Sequence, residues 1–204
     1  MAHQINGAKN SALAVLAAAL LCPDAVEFNG IPNLTDVHSM RQVLHSVGAR
    51  TAKDGSRLVV DSSSLTSASP SPTAAAALRA SVFVLGPLLA RLREAVVPLP
   101  GGCNIGQRPI ELHLQGLQAL GAMVEVHDDR VHVQAPAGLT GAVVNLRYPS
   151  VGATLCVMMA AVLAQGETTI HNAACEPEVE DVANFLSRPE SSAAAAASRA
   201  AAGG

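Results

Sequence analysis

The chain has 204 residues, of which 50% are hydrophobic and only 2% are aromatic, with a formal net charge of -3. This length fits one large domain or one and a half ordinary domains. The charge provides no basic field of the kind that binding to a phosphate backbone requires, which argues against a nucleic-acid-binding protein. The longest apolar runs, residues 11–22 and 155–164, are about half of the ~20 residues that a membrane helix needs. We therefore expect neither a nucleic-acid partner nor a membrane-spanning segment.

The four cysteines are spread along the chain at positions 22, 103, 156 and 175. They form no CxxC pair and have no nearby histidine at the spacing of metal ligands. A zinc site or a disulfide framework is therefore not expected, and reduced thiols in a cytosol-like compartment are the default. We predict that the chain binds no metal and needs no cofactor.

An internal repeat organises the sequence. Residues 34–60 and 107–133 superpose without a gap at an offset of 73 residues. Each copy contains an apolar stripe at helical spacing, then a glycine that can end the helix in a left-handed conformation, then two strands around a polar turn. The stripe consists of Val37, Met40, Leu44 and Val47 in the first copy, and of Ile110, His113, Leu117 and Leu120 in the second.

A third copy begins at an offset of 69 residues from the second, with stripe positions Val179, Val182 and Leu186. It stops at Pro189, which a helix interior does not accommodate, and a low-complexity alanine- and serine-rich tail follows. Apolar helices predicted over 11–21, 80–92 and 151–164 precede the three copies, and each is followed by a short strand. The sequence therefore predicts an α/β domain over residues 1–186 with an incomplete third repeat, and a disordered tail over residues 187–204.

The segment PLPGGCNIGQRP, residues 98–109, contains three glycines, three prolines and one cysteine. Cys103 lies five residues before Arg108, and a neighbouring cation lowers the pKa of a thiol and makes it reactive. The alternative is a glycine-rich turn with an incidental cysteine. The segment alone does not decide between these two interpretations.

Polar residues also precede or open the three predicted apolar helices. Lys9 and Asn10 lie at the start of the first, Arg79 before the second, and residues 150–152 at the start of the third. A helix N-terminus favours an anion through its free backbone NH groups and its dipole. If the three repeats direct these ends to a common face, the arrangement suits a phosphorylated ligand. The alternative is that they are solvated charges at helix ends.

Two other polar features are interpreted structurally. His113 occupies the apolar stripe of its helix and is predicted to be a satisfied core histidine, with catalytic base as the alternative. The acids of EPEVED, residues 176–181, fall in the first turns of a helix. There the dipole favours negative charge, so capping is the favoured explanation.

The longer motifs resemble those of the UDP-N-acetylglucosamine 1-carboxyvinyltransferases, the enolpyruvyl transferases of peptidoglycan synthesis. They are NGAKNSAL, LRASVFVLGPLLAR, LPGGCNIGQRPIELH, YPSVGAT, MMAAVLAQGET and NAACEPEVEDVANFL, in this order between residues 6 and 186. The resemblance implies an inverse α/β barrel of three repeats. It also implies transfer of the enolpyruvyl group of phosphoenolpyruvate to the 3′-hydroxyl of the sugar, with release of phosphate, in the cytoplasm or, alternatively, in a plastid.

The resemblance also assigns roles to individual residues. Cys103 matches the loop cysteine that acts as proton donor, attacks phosphoenolpyruvate and is alkylated by fosfomycin. Lys9, Arg79 and Arg108 match cations around the phosphoenolpyruvate phosphate, and Asn10 matches a residue that contacts the amino sugar. The segments that match the lining of the uridine and diphosphate sites comprise Arg108, Pro109, Ile110, Glu111 and Leu112, followed by Ser150, Val151 and Gly152.

The chain departs from the family pattern at several positions. Glu111 replaces the usual Asp, Asn33 and Thr35 stand where basic residues are common, and Tyr148 stands where some members have Lys. The family protein is longer, and its second domain supplies an aspartate for the sugar hydroxyl and a further arginine. We therefore expect one domain that binds the nucleotide sugar weakly and does not turn over alone. The alternatives are a non-catalytic nucleotide-sugar-binding remnant, or half of a split enzyme whose second domain is a separate chain.

Overall fold

The computed structural model describes residues 2–4, 8–76, 78–98 and 110–188. Within them, short strands alternate with helices of five to twelve residues. The strands are β1 (Ala2–Gln4), β2 (Val26–Asn29), β3 (Arg50–Asp54), β4 (Arg57–Asp61), β5 (Glu94–Pro98), β6 (Met123–Val126), β7 (Arg130–Gln134), β8 (Val143–Asn145) and β9 (Thr169–His171). The α-helices are α1 (Lys9–Ala18), α2 (Thr35–Ser46), α3 (Pro72–Ala76), α4 (Leu85–Leu92), α5 (Glu111–Ala119), α6 (Val151–Ala161) and α7 (Pro177–Ser187).

The strands form three sheets, one for each repeat. The first has the order β1-β2-β4-β3, the second β5-β7-β6, and the third contains β8 and β9. Helix α1 connects the parallel strands β1 and β2, and α6 connects the parallel strands β8 and β9 in the same way. In the second repeat, the Val96 N–H donates to the Ala68 carbonyl at 2.9 Å. The segment around Ala68 therefore runs beside β5, as β1 runs beside β2 and β8 beside β9. These related units confirm the predicted α/β fold, and they add a strand before α1 and before α6.

The second helix of each repeat buries the stripe that its sequence predicts. Val37, Met40, Leu44 and Val47 are at most 1% exposed, and Leu117 and Leu120 are fully buried. In α7, Val179, Val182 and Leu186 are also buried. The glycines after α2 and α5, Gly48 and Gly121, have φ angles of +101° and +90°. Each therefore ends its helix in the left-handed conformation that the sequence predicts.

The apolar helix predicted over residues 80–92 is divided in the structure. Residues Arg79–Val84 form a 3₁₀-helix, and α4 begins only at Leu85. Pro87 explains the division, because it has no N–H to donate to the carbonyl four residues earlier. In the first turn of α4 that N–H is not needed, so the α-helix can begin at Leu85 but not at residue 80.

The first helices of the repeats form the centre of the core. Residues 12–21 are buried on all sides, as are Leu155, Cys156 and Val157 of α6. Small residues allow the close packing: Gly86 of α4 lies against the Cys156 carbonyl, and Gly116 of α5 lies against the Val157 side chain. The alanine-rich composition is thus explained by helices that pack closely, where a larger side chain would not fit.

Two predictions concern the limits of the fold. In the part of the chain that the structure describes, no helix combines the length and the apolar character that crossing a membrane requires. The predicted domain boundary at residue 186 falls one residue before the end of α7 at Ser187. Residues 189–204 lie outside the described residues, so the division into domain and tail stays a prediction.

Candidate functional site

Lys9 and Asn10, two of the predicted binding residues, are the first residues of α1, and both are exposed. The Lys9 Nζ lies 2.9 Å from Oδ2 of Asp36, in the first turn of α2. The two side chains are 52% and 41% exposed, so solvent screens their attraction and the pair contributes little to stability. Lys9 therefore remains accessible to an anionic ligand, which would compete with a single carboxylate.

Asn10 connects α1 to α7. Its Nδ2 donates a hydrogen bond to Oε1 of Glu178 at 3.2 Å. The interpretation of residues 176–181 as capping is therefore wrong in part, because the N-cap residue Glu176 makes no side-chain capping bond and Glu178 reaches another helix. Asp36 and Glu178 contact two predicted binding residues, which the sequence did not reveal, since acids in a first turn are common in any helix.

The N-terminus of α7 in turn adjoins that of α6. An open cleft of about 420 Å³ lies between them. Pro149, which precedes the α6 N-cap, and Glu176, the α7 N-cap, both line it. The remaining lining residues are Asn172, Ala173 and Cys175, and Cys175 is exposed.

Ser150, Val151 and Gly152 form the start of α6, and all three are half-buried. Ser150 is the N-cap, and its Oγ accepts a hydrogen bond from the Ala153 N–H at 3.4 Å. Backbone N–H groups of a first helical turn have no partner within the helix, and they point out along its axis. This end of α6 is therefore suited to hold an anionic group close to the backbone.

His113 of α5 lies against the start of α6. A Cβ built on Gly152 would be 2.7 Å from the His113 Nε2. The imidazole is only 7% exposed. Burial lowers the pKa of His113 to about 4, so the ring is neutral near pH 7. The prediction of a core histidine is confirmed for its burial.

The predicted uridine segment opens α5. Ile110 is half-buried, Glu111 is exposed, and Leu112 is 2% exposed and belongs to the core. The Glu111 Oε2 lies 3.7 Å from Nη2 of Arg147, and both side chains are about two-thirds exposed. Arg147 therefore adds a cation close to this segment, which the sequence analysis did not identify.

Five helix N-termini thus meet on one face of the protein. The contacts are Lys9 with Asp36, Asn10 with Glu178, Gly152 with His113, and Glu111 with Arg147, and Glu176 and Pro149 line the same cleft. They connect α2, α1, α7, α6 and α5 in that order. We name this surface, formed by residues 9–10, 36, 110–113, 147–152 and 176–178, the N-terminal face.

Other predicted residues cannot be placed in the same way. Cys103, Arg108 and Pro109 lie outside the described residues, and only the backbone of Arg79 is described, at the start of the 3₁₀-helix. Their roles therefore stay predictions. Among the described residues, no group of three or more His, Cys, Asp or Glu side chains is arranged to hold a metal ion.

Comparison with known proteins identifies the family. Residues 3–192 match the model of the EPSP synthase (3-phosphoshikimate 1-carboxyvinyltransferase) family. The chain belongs to the EPSP synthase family. Two solved structures support the fold that this family implies, both at low sequence identity. The enolpyruvyl transferase NikO from Streptomyces tendae superposes over 93% of this chain and 47% of its own, with a TM-score of 0.77 and 20% identity. An EPSP synthase from Acinetobacter baumannii covers 92% of this chain and 44% of its own, with a TM-score of 0.69 and 15% identity.

Curated relatives within the EPSP synthase family are more similar in sequence. A protein from Synechocystis sp. named UDP-N-acetylglucosamine 1-carboxyvinyltransferase is 50% identical over 185 residues, which are 89% of this chain and 42% of that protein. UDP-N-acetylglucosamine 1-carboxyvinyltransferase 2 from Carboxydothermus hydrogenoformans is 49% identical over 183 residues, or 90% of this chain and 43% of that protein. The chain therefore spans less than half the length of these relatives.

Proposed function

We propose that this chain provides the nucleotide-sugar-binding part of a UDP-N-acetylglucosamine 1-carboxyvinyltransferase. In the proposed reaction, the enolpyruvyl group of phosphoenolpyruvate is transferred to the 3′-hydroxyl of the sugar and phosphate is released. The observation on which the proposal depends is the N-terminal face, where five helix N-termini meet beside Lys9 and Arg147. The relatives that carry this name, at 46–50% identity, support the choice of substrates.

The N-terminal face has the chemistry that a nucleoside diphosphate sugar requires. Two phosphates carry negative charge, and helix N-termini stabilise such charge through backbone N–H groups and the helix dipole. At the start of α6, residues 150–152 are half-buried beside the His113 ring, and Lys9 adds a positive charge at the start of α1. We assign the diphosphate to residues 150–152 and the uridine to residues 108–112, as the family resemblance implies.

Phosphoenolpyruvate would bind among Lys9, Arg79 and Arg108. Positive charges fixed around a phosphate stabilise the anionic species of the reaction when water is excluded. Cys103 would act as general acid and as the nucleophile that attacks phosphoenolpyruvate, as the family resemblance implies. This chemistry uses protein side chains alone, so the proposal includes no metal and no cofactor.

The proposal assigns only part of the transferase to this chain. The relatives are more than twice as long as the matched segment, and carboxyvinyl transfer needs groups on both sides of a closed cleft. A second-domain chain is the partner that would complete it. We propose a cytosol-like location for the assembled enzyme, with a plastid as the alternative.

Phosphate release tests the proposed reaction. The chain alone, supplied with phosphoenolpyruvate and UDP-N-acetylglucosamine, should release no detectable phosphate. Adding a polypeptide that covers the remaining length of a curated relative should produce release that depends on the nucleotide sugar and is lost in Cys103→Ser. Phosphate release by the chain alone that is lost in Cys103→Ser would contradict the proposal that a second-domain chain is needed. Binding of neither substrate would contradict the proposed function itself.

A further inference from the structure

The hydrogen bond between Asn10 and Glu178 fixes which way the Asn10 amide faces. A carboxylate oxygen only accepts hydrogen bonds, whereas an amide has an NH₂ donor at one end and a carbonyl acceptor at the other. The atom of Asn10 that lies 3.2 Å from Oε1 of Glu178 must therefore be Nδ2, as the structure has it. The reversed amide would place Oδ1 against a carboxylate oxygen, and two acceptors repel each other.

Glu178 is held in this position by the packing of its helix. It lies in the first turn of α7, where the helix dipole favours a negative charge. The same face of α7 is anchored in the core by Val182 and Phe185, four and seven residues after Glu178, and the Phe185 ring lies 5.4 Å from that of Phe28, centroid to centroid. The carboxylate therefore projects toward α1 from a helix whose position is set by buried contacts.

The orientation of the Asn10 amide determines what Asn10 offers to a ligand. With Nδ2 committed to Glu178, Oδ1 is turned away from α7 and can only accept a hydrogen bond. The neighbouring Lys9 has the opposite character, because an ammonium group only donates. The start of α1 thus presents a donor for an anionic group and, one residue further on, an acceptor for an N–H or O–H group.

We propose that Glu178 is a positioning residue, which holds the Asn10 amide with its oxygen toward the ligand and thereby selects a ligand that donates a hydrogen bond there. This inference rests on the proposed function, in which the ligand is a nucleotide sugar, and it takes the acetamido N–H of that sugar as the donor. Without Glu178 the amide can turn over and present either end. The selection between an acetamido sugar and a ligand without the sugar would then be lost.

Two glutamines provide a matched test. Glu178→Gln keeps the shape of the side chain but can accept from or donate to Asn10, so it no longer fixes the amide. Glu180→Gln removes the same charge from an exposed position in the same turn of α7. The readouts are the Asn10 side-chain NH₂ signals in ¹H–¹⁵N spectra of the ligand-free chain, and the affinities for UDP-N-acetylglucosamine and for UDP.

We expect Glu178→Gln to shift the Asn10 NH₂ signals and to weaken binding of UDP-N-acetylglucosamine by about fivefold to tenfold, the effect of one hydrogen bond. Binding of UDP should be unchanged, and Glu180→Gln should change neither readout. Equal NH₂ shifts in both variants would overturn the positioning role. If Glu178→Gln lowered the affinities for UDP-N-acetylglucosamine and for UDP equally, the effect would be one of charge, and the proposed selection would be overturned. A wild-type chain that binds neither ligand would refute the proposed function and the selection, while the NH₂ signals would still decide whether Glu178 orients Asn10.

Discussion

The imidazole of His113 lies directly against Gly152, where any larger residue would place its Cβ 2.7 Å from Nε2. This contact joins the start of α5 to the start of α6, the two segments proposed to hold the uridine and the diphosphate. Glycine alone permits the approach. The spacing between the two proposed subsites is therefore set by the His113 ring and by the absence of a side chain at Gly152.

A first prediction follows for Gly152→Ala. The added methyl group should lower the free energy of unfolding by about 1–3 kcal/mol, the usual cost of overpacking. His113→Ala removes the obstructing ring, so the double variant should be more stable than the sum of the two single changes predicts. Urea denaturation of the four proteins measures this coupling. Effects that add to within about 0.5 kcal/mol would show that the two residues are not in contact.

A second prediction concerns pH. The pKa of His113 is lowered by burial from 6.5 to about 4 in the folded chain. Between these values the unfolded chain binds a proton that the folded chain does not, so stability should fall as the pH falls from about 6.5 to about 4. The full loss attributable to His113 is about 3 kcal/mol.

The measurement is the free energy of unfolding at several pH values for wild type and His113→Phe. The variant should lose much of the pH dependence in this window. The variant for comparison is His45→Asn. The pKa of His45 is also lowered, first by partial burial and then by Arg41. An unchanged pH dependence in His113→Phe would contradict the burial of a neutral imidazole.

Gly48 and Gly121 give a third prediction, because the repeat makes them equivalent. Both have left-handed φ angles, so alanine at either position should cost about 1–2 kcal/mol in backbone strain. At Gly48 the new Cβ would also lie 2.6 Å from the Ser64 carbonyl oxygen, whereas at Gly121 nothing lies within 4 Å. Gly48→Ala should therefore destabilise the chain clearly more than Gly121→Ala in thermal or urea unfolding. Equal effects would show that the loop after β4 does not close on Gly48.

Thiol reactivity provides a fourth prediction. Cys175 is exposed, whereas Cys156 is buried, and burial raises the pKa of its thiol to about 12. Thiolate is the reactive form, so at pH 8 a maleimide should label Cys175 rapidly and should label Cys156 only after unfolding. Peptide mass spectrometry after timed labelling distinguishes the two sites. Rapid labelling of Cys156 in the folded chain would contradict the packing of α6.

The α/β fold could be predicted from the sequence, because the internal repeat shows the spacing of the apolar residues in each copy and aligns the corresponding helices and strands. The stripes of α2 and α5 and the glycines after them were all predicted. Buried helix positions favour apolar residues, and a left-handed φ favours glycine. The break before α4 was missed, because the apolar residues from 80 to 92 mask the effect of Pro87. A single proline was in fact enough to restrict the α-helix to its second half.

The candidate site was predicted less completely. Lys9 and Asn10 were predicted as binding residues, but their contacts with Asp36 and Glu178 were not predicted, because a contact between distant helices has no signature in local sequence. The same holds for the contact of His113 with Gly152, which depends on what surrounds the ring rather than on its place in the stripe. Long-range contacts of this kind appear only once the helices are packed.

Titration of the chain with UDP-N-acetylglucosamine, followed by backbone ¹H–¹⁵N shifts, tests the central claim most directly. We predict shifts that saturate together at Lys9, Asn10 and Glu111 and at residues 150–152, with none at the β3–β4 turn around Gly55. That turn serves as the internal control. Shifts that are absent from residues 150–152, or equally large at Gly55, would show that the N-terminal face does not bind the nucleotide sugar.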